Sequence, residues 1–137
     1  MAEVHQDPHC LAFMDVHPLS PGHMLLIPRQ HVEMLADLPA ETRAHLYRVF
    51  DLLVAAQRAA GLGTKGTHLL VNDGRATNQH IPHAHLHLIP RYPHDNLRFG
   101  GGLLMHLSGI FGRRKGLHEL AKTAENIKQY LPAPVPL

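Results

Sequence analysis

The chain has 137 residues, of which 45% are hydrophobic, and this length suits one globular domain (1–137) that buries roughly two-thirds of its unfolded surface. The formal net charge of +2 argues against non-specific binding to nucleic acid. The sequence contains no stretch of about 18 apolar residues, so no membrane span is expected. A single cysteine, Cys10, cannot form an internal disulfide, and the polar N-terminus lacks a signal-peptide hydrophobic region, so a cytoplasmic location is expected.

The N-terminal half is predicted to contain two strands and a long helix. The apolar runs Cys10–Asp15 and His23–Pro28 are the strands, joined by a turn (17–22) with two prolines and a glycine. One helical turn is expected within 31–35. A helix is predicted from about Pro39 to Ala60, because apolar residues recur at helical spacing. This stripe comprises Leu46, Val49, Phe50, Leu53 and Val54.

The C-terminal half is predicted to contain two more strands and a second helix. His68–Asn72 and His83–Pro90 are the strands, with a turn at Asp73-Gly74 between them. Phe99–Gly102 is glycine-rich and is predicted to be a mobile loop. A helix is expected at about 116–131, and Pro132, Pro134 and Pro136 prevent its continuation. Its inward residues are expected to be Leu117, Leu120, Ala121, Ala124 and Ile127.

One glycine string imitates a nucleotide-binding motif. Residues Gly61–Gly66 match the GxGxxG pattern of dinucleotide-binding loops. That motif requires a strand before it and a helix N-terminus after it, where amide groups face the pyrophosphate. Here a helix precedes and a strand follows, so the string is predicted to be a helix stop and connector.

Three alternating histidines carry the clearest chemical signal. His83, His85 and His87 alternate with the apolar residues Ala84 and Leu86. On a strand, neighbouring side chains point to opposite faces, so one face is expected to carry three imidazoles while the other is buried. Such a row could bind a metal, hold an anion, or attack phosphorus.

The metal interpretation has one point for it and one against. A His-x-His pair on a strand with a third ligand is a common zinc geometry. However, no carboxylate or thiolate occupies a neighbouring same-face position, and the nearest acidic residues, Asp73 and Asp95, lie in turns. No metal is therefore predicted, and a metal-dependent hydrolase with the three histidines as ligands stays an alternative.

Attack on phosphorus needs no bound ion. A neutral imidazole is a competent nucleophile when its second nitrogen keeps a proton held by a hydrogen bond. The phosphoramidate formed is labile enough for water to cleave, and the phosphoryl oxygens need positioned donors. The flanking histidines and the amide groups of the turn that contains Gln79 and His80 could supply these donors.

The sequence resembles the histidine triad (HIT) family. The segment His83–Ile89 fits its pattern His-φ-His-φ-His-φ-φ, in which φ is apolar. The resemblance includes an N-terminal block within 11–29 and the block Val71–Gly74, so the matched blocks cover roughly 11–92. The N-terminal cysteine pairs that some members use for zinc are absent here.

The resemblance implies an α+β fold and an activity. The expected fold is an antiparallel sheet packed against one long helix and a C-terminal helix, in a homodimer with the helix 39–60 near the two-fold axis. The expected activity releases a nucleoside monophosphate from a phosphoramidate or a dinucleoside polyphosphate, and the expected monophosphate is AMP. The reaction would pass through a covalent nucleotidyl-histidine and use no cofactor.

The resemblance also assigns catalytic roles to four histidines. His85 would be the nucleophile that attacks the α-phosphorus, and His87 would contact phosphate oxygens. His83 would orient the site through its backbone carbonyl, which accepts a hydrogen bond from His85. His23 would complete a hydrogen-bonded histidine cluster from the neighbouring strand.

Nucleotide-binding roles follow in the same way. Asp15 would accept the ribose hydroxyls, since a carboxylate takes two donors at once. Phe13 and Val16 would form apolar walls for a purine base. Asn72 would bond near the ribose and phosphate, and Gln79 would contact phosphate oxygens.

The chain departs from the family pattern in the turn before the histidines. His80 stands where Ser or Thr is usual, and Asn78 stands where glycine is common, although both are assigned to the nucleotide site. The segment Arg98–Lys115 matches nothing in the family. A non-catalytic nucleotide-binding module is therefore an alternative function. Surface or packing roles are expected for the other histidines, which are His5, His9, His17, His31, His45, His68, His94, His106 and His118.

Overall fold

A five-stranded antiparallel sheet forms the centre of the structure. The computed structural model describes residues 1–133, so Pro134 and Pro136 lie outside the described residues. The strand order is β1-β2-β3-β5-β4. The strands are β1 Glu3–Gln6, β2 Cys10–Met14, β3 Met24–Pro28, β4 Thr67–Val71 and β5 Leu86–Pro90. The helices are α1 Ala40–Ala59, α2 Asn96–Leu107 and α3 Leu117–Lys128, with single 3-10 turns at Leu35–Asp37 and Arg75–Thr77. The predicted α+β class is confirmed.

One face of the sheet packs against α1 and α3. Alternate side chains of the central strands point to this face, and Met14, Met24 and Leu88 pair directly across β2, β3 and β5. Helix α1 contacts β3 and β5, and α3 contacts β1 and β2. Full burial of one such aliphatic side chain, for example Leu53, contributes roughly 1.5–3 kcal/mol. These contacts leave the opposite face of the sheet free to carry polar groups.

The helices largely follow their predicted patterns. In α1 the predicted stripe is buried at Leu46, Val49, Leu53 and Val54 and partly buried at Phe50. The prediction for α3 was partly wrong, because Leu117 and Ala121 are exposed and only Leu120, Ala124 and Ile127 are buried. None of the helices within residues 1–133 is long and apolar enough to cross a membrane.

The glycine-rich segment Phe99–Gly102 is helical, which corrects the prediction of a mobile loop. It lies inside α2, although glycine disfavours helices. The first turn is held by Phe99, whose ring stacks on His68 with 5.1 Å between centroids and lies 3.9 Å from the Arg91 guanidinium. No residue of α2 is fully buried.

Two further strand predictions were wrong. The strand β1 was not predicted, because its four residues carry too short an apolar pattern. The predicted strand His83–Pro90 begins only at Leu86. The Ala84 amide donates to the Val32 carbonyl at 2.7 Å, so the chain before Leu86 is bonded to a loop instead of to β3.

The glycine string 61–66 connects α1 to β4 and has no helix after it, as predicted. Gly63 has a φ of +61°, and a Cβ there would lie 2.6 Å from Pro90 Cβ and 2.9 Å from Pro90 Cα. Gly61 has a φ of +85° with open space around it. Close packing of Gly63 thus holds the end of β5.

Replacement of these two glycines separates backbone strain from packing. Both Gly61→Ala and Gly63→Ala place a side chain in the left-handed region, at about 1–2 kcal/mol. Only Gly63→Ala also forces backbone apart at Pro90, which adds about 1–3 kcal/mol. Urea unfolding should therefore show a larger loss of unfolding free energy for Gly63→Ala. Equal losses would contradict this packing contact.

Candidate active site

A cavity lies on the face of the sheet opposite α1 and α3. Phe13, Leu25 and His87 pair directly across β2, β3 and β5 on this face, and all three line a cavity of about 600 Å3. This volume is typical of a small-molecule site. A smaller cavity of about 270 Å3 near Phe99 contains none of the predicted site residues.

The predicted site residues divide into two groups. Those that line the cavity are Phe13, Asp15, Val16, Asn72, His80, His85 and His87. Those outside its lining are His23, His83, Asn78 and Gln79. The catalytic and binding roles assigned to both groups are still predictions.

A chain of hydrogen bonds determines which nitrogen of His87 carries a proton. The Leu19 amide donates to His23 Nδ1 at 2.9 Å, so the proton of neutral His23 is on Nε2. His23 Nε2 lies 2.9 Å from His87 Nδ1 and therefore donates to it. The remaining proton of His87 is then on Nε2, a buried atom with no hydrogen-bond partner within residues 1–133. The cavity wall thus holds one unused N–H donor.

Burial keeps both rings of this chain neutral. Removal from water lowers the pKa of His23 and that of His87 from 6.5 to about 3, because an imidazolium is poorly solvated there. The neighbouring imidazoles His106 and His85 act in the same direction. At neutral pH the two rings therefore direct protons and lone pairs without net charge.

His85 has the opposite arrangement of proton and lone pair. Its Nδ1 lies 2.8 Å from the His83 carbonyl, and a carbonyl can only accept, so Nδ1 carries the proton. Nε2 of neutral His85 is then a free lone pair. The His85 and His87 rings are 4.9 Å apart, edge to face. The site thus combines an imidazole lone pair with an adjacent N–H donor.

His83 cannot join the other two histidines as a metal ligand without losing its own contacts. Its Nε2 donates to the Pro28 carbonyl at 2.9 Å, and its Nδ1 accepts from His31 Nδ1 at 2.9 Å. Both ring nitrogens are therefore engaged. His31, for which a surface or packing role was expected, is exposed and holds His83 through this bond.

The acidic group nearest the histidines is Asp15, not Asp73 or Asp95. Asp15 is buried, and its Oδ2 lies 3.5 Å from His23 Nε2 while its Oδ1 accepts from the His17 amide at 2.8 Å. The donor atoms of Asp15, His23 and His87 lie within 4.8 Å of one another. A cation could therefore be held by these three groups, although not by the three alternating histidines.

Gln79 and Asn78 shape the turn beneath the site. Gln79 Oε1 accepts from the Gly74 amide at 2.8 Å, and its Nε2 donates to the Glu33 carbonyl at 2.8 Å. Its side chain is thus bonded to backbone, where a phosphate contact was predicted. Asn78 has a φ of +62°, the left-handed conformation that explains why glycine also suits this position.

The segment after α2 contributes residues that the sequence did not predict. His106, Phe111 and Arg114 line the cavity, together with His17. The segment is bonded to the strand end by the Lys115 amide, which donates to the Val16 carbonyl at 2.9 Å. Its residues form no motif, and only their position in the fold brings them to the site. His17 and His106, for which surface or packing roles were expected, thus line the cavity.

The sequence matches a known family over most of its length. The model described as HIT domain matches residues 2–94. A HIT-like protein of Mycobacterium tuberculosis is 34% identical over 102 residues, which cover 74% of this chain and 70% of that protein. An Arabidopsis thaliana adenylylsulfatase is 36% identical over 76% of this chain and 52% of its own length. A Schizosaccharomyces pombe adenosine 5′-monophosphoramidase is 33% identical, over 67% and 65% of the two chains.

The fold is also shared with solved structures. A zinc-bound histidine triad family protein from Mycobacterium smegmatis superposes with a TM-score of 0.71 at 26% identity. The match covers 94% of this chain and 82% of that protein. Similarity therefore extends beyond the sequence blocks to nearly the whole described fold.

The neutral state of His23 and His87 predicts how stability depends on pH. Their folded pKa of about 3 lies below the unfolded value of 6.5, so their contribution is complete above pH 6.5 and declines as pH falls toward 3. Each histidine can cost up to about 1.4 kcal/mol per pH unit in this window. The unfolding free energy should fall accordingly in urea titrations at decreasing pH.

The control for this prediction is an exposed histidine. His87→Gln should show a shallower decline, because one of the two titrating groups is gone, whereas His118→Gln should keep the wild-type slope because His118 is exposed. The same slope in all three proteins would show that these rings are not held neutral.

Proposed function

The chain belongs to the histidine triad (HIT) family, and on that premise we propose that it cleaves a nucleoside monophosphate from its leaving group through His85. The substrate proposed is an adenine nucleotide with a phosphoramidate or phosphoanhydride bond. The observation that carries the proposal is the lone pair of His85 Nε2 beside the N–H of His87 Nε2.

In the proposed first step, His85 Nε2 attacks the α-phosphorus. Its Nδ1 keeps its proton and donates it in a hydrogen bond to the His83 carbonyl, which supports the positive charge that develops on the ring. His87 donates its Nε2 proton in a hydrogen bond to a phosphoryl oxygen, where negative charge increases. Water then cleaves the phosphorus–nitrogen bond and restores the free imidazole.

The nucleoside would lie along the strand end that follows β2. Phe13 and Val16 line this part of the cavity and supply apolar surface for a purine. Asp15 is buried at the same strand end, where its carboxylate would accept the ribose hydroxyls. Asn72, from the end of β4, would bond near the ribose and phosphate.

Two relatives support this choice of substrate. One is named an adenylylsulfatase and the other an adenosine 5′-monophosphoramidase, and both names describe cleavage at an adenylyl group. We further propose that the protein forms a homodimer. Exposure of Tyr47 and Leu52 on α1 supports a contact through this helix.

A metal-dependent reaction is a second candidate, because Asp15, His23 and His87 bring their donor atoms together. The family includes a protein whose structure is zinc-bound. A metal at this site would compete with the hydrogen bond from His23 to His87. The hydrogen bond joins His23 Nε2 to His87 Nδ1, and the metal would be bound by these nitrogens. A chelator distinguishes the two mechanisms, because it would stop the metal-dependent reaction and would not affect attack by His85.

Hydrolysis of adenosine 5′-phosphoramidate in EDTA tests the proposal. Wild-type protein should release AMP without added metal, and His85→Ala should lower the rate by at least about 10³-fold because the nucleophile is gone. AMP binding, followed by calorimetry, should persist in His85→Ala. The matched control His118→Ala, at an exposed position on α3, should keep wild-type turnover.

The other outcomes contradict specific parts of the proposal. Near-wild-type turnover by His85→Ala would exclude His85 as the nucleophile. Activity lost in EDTA and restored by zinc would favour the metal-dependent reaction. AMP binding without turnover of phosphoramidate, phosphosulfate or dinucleoside polyphosphate would favour the nucleotide-binding module.

A further inference from the structure

We propose that His106 transfers the proton to and from the leaving group, as the general acid and base of the reaction. This inference rests on the proposed function, because it assigns a role in the same chemical step. It uses a residue from outside the segment that matches the family model, which ends at residue 94.

The ring nitrogens of His106 are free for a ligand. Within residues 1–133, no hydrogen bond involves the His106 ring. The one side-chain hydrogen bond to His106 is donated by His80 Nε2 to the His106 backbone carbonyl, at 3.2 Å. The ring is partly buried and lines the cavity. An imidazole with two unengaged nitrogens in a cavity can both donate and accept a proton.

The His106 ring is nevertheless held in a defined place. It packs edge to face against His87, with 5.5 Å between centroids, and against Phe111, with 5.1 Å. Phe111 in turn stacks on His17 at 5.4 Å, and His17 Nδ1 donates to the Gly112 carbonyl at 2.9 Å. These contacts fix the ring without using its nitrogens.

The nucleophile and His106 both contact His87. The rings of His85 and His106 both pack against His87, and no ring contact joins them directly. With a phosphoryl oxygen on His87 Nε2, the attacking and leaving atoms lie on opposite sides of the phosphorus. In the proposed arrangement, His85 is on the attacking side, and His106, which packs against the same His87 ring, is on the leaving side.

His80 contacts the segment that carries His106. It stands where the family pattern has Ser or Thr, and its ring donates to the His106 carbonyl and packs on Phe111 at 5.8 Å. His80 is thus a positioning residue for the segment that carries His106. A proton donor brought by that segment would replace the missing hydroxyl.

The proton balance of the two steps is complete. Imidazolium His106 gives a proton to the leaving nitrogen as the phosphorus–nitrogen bond of the substrate breaks and the bond to His85 forms. Neutral His106 then accepts a proton from the attacking water, whose oxygen bonds to phosphorus as the bond to His85 breaks. AMP is released, and His106 is again protonated for the next substrate.

Both protonation states of His106 are used in this cycle. The Asp15 carboxylate lines the same cavity as the His106 ring. A bound phosphate is a further negative charge, which favours the imidazolium when substrate is present. The other titratable groups that influence the ring are His17, His80 and His85, with His87 in ring contact.

Two substrates with different leaving groups test the proposal. Ammonia must leave adenosine 5′-phosphoramidate with an added proton, whereas sulfate leaves adenosine 5′-phosphosulfate as a stable anion. His106→Gln cannot transfer a proton, so its kcat/KM should fall about 10²–10³-fold for the phosphoramidate. The loss for the phosphosulfate should be at least about 30-fold smaller, since sulfate departs without a proton and kcat/KM reports the steps up to that departure.

The comparison is internally controlled. Loss of folded protein lowers both rates equally and leaves their ratio unchanged, and His106→Asn provides a second variant at the same position. His118→Gln should change neither rate, and His85→Ala should abolish both. Equal losses for the two substrates, or none, in both His106 variants would overturn the proposal. Failure of wild-type protein to cleave either substrate would instead contradict the proposed function.

Discussion

The buried hydrogen bond from His23 to His87 is the contact on which the chemistry of the site depends. It has a direction only because the Leu19 amide donates to the far nitrogen of His23. The turn that carries Leu19 is itself bonded to the fold, since the Gln57 side chain of α1 donates to the Gly22 carbonyl and the Ser20 hydroxyl donates to the Pro90 carbonyl. The apolar core thus determines, through the turn, which nitrogen of His87 presents a proton.

The early end of β5 determines the state of His85. If the strand continued to His83, the backbone carbonyl of that residue would belong to the sheet. Instead the Ala84 amide bonds to the Val32 carbonyl, and the His83 carbonyl accepts from His85 Nδ1. Two histidines two residues apart therefore hold opposite tautomers.

The sequence predicted the α+β fold and several residues that line the cavity, but not the residues that the segment after α2 brings to it. Apolar periodicity located α1 and the central strands, because their burial follows a regular spacing. It missed β1, which is too short to show a period, and the helical state of Phe99–Gly102, which depends on the contact of Phe99 with His68 and Arg91. His106 and Phe111 reach the site through tertiary contacts, which no local pattern encodes.

The same distinction applies to Gln79, whose phosphate contact is still a prediction. Its position beside the histidine segment suggested a phosphate contact, but its amide satisfies two backbone groups of the turn. Asp15, by contrast, lies far from His87 in the sequence, but its carboxylate lies within 4.8 Å of a ring nitrogen of His87. Proximity along the chain is therefore a weak guide to which polar groups meet in this site.

Isolation of the covalent intermediate tests the central claim most directly. Protein mixed with adenosine phosphoramidate labelled at the α-phosphorus, in EDTA, is quenched in alkaline denaturant, which preserves phosphorus–nitrogen bonds to histidine, and its peptides are mapped by mass spectrometry. We expect an adenylyl group on His85 of the wild-type protein and none in His85→Ala. Turnover of the labelled substrate with the adenylyl group on another residue, or with no label on protein at any quench time, would contradict it.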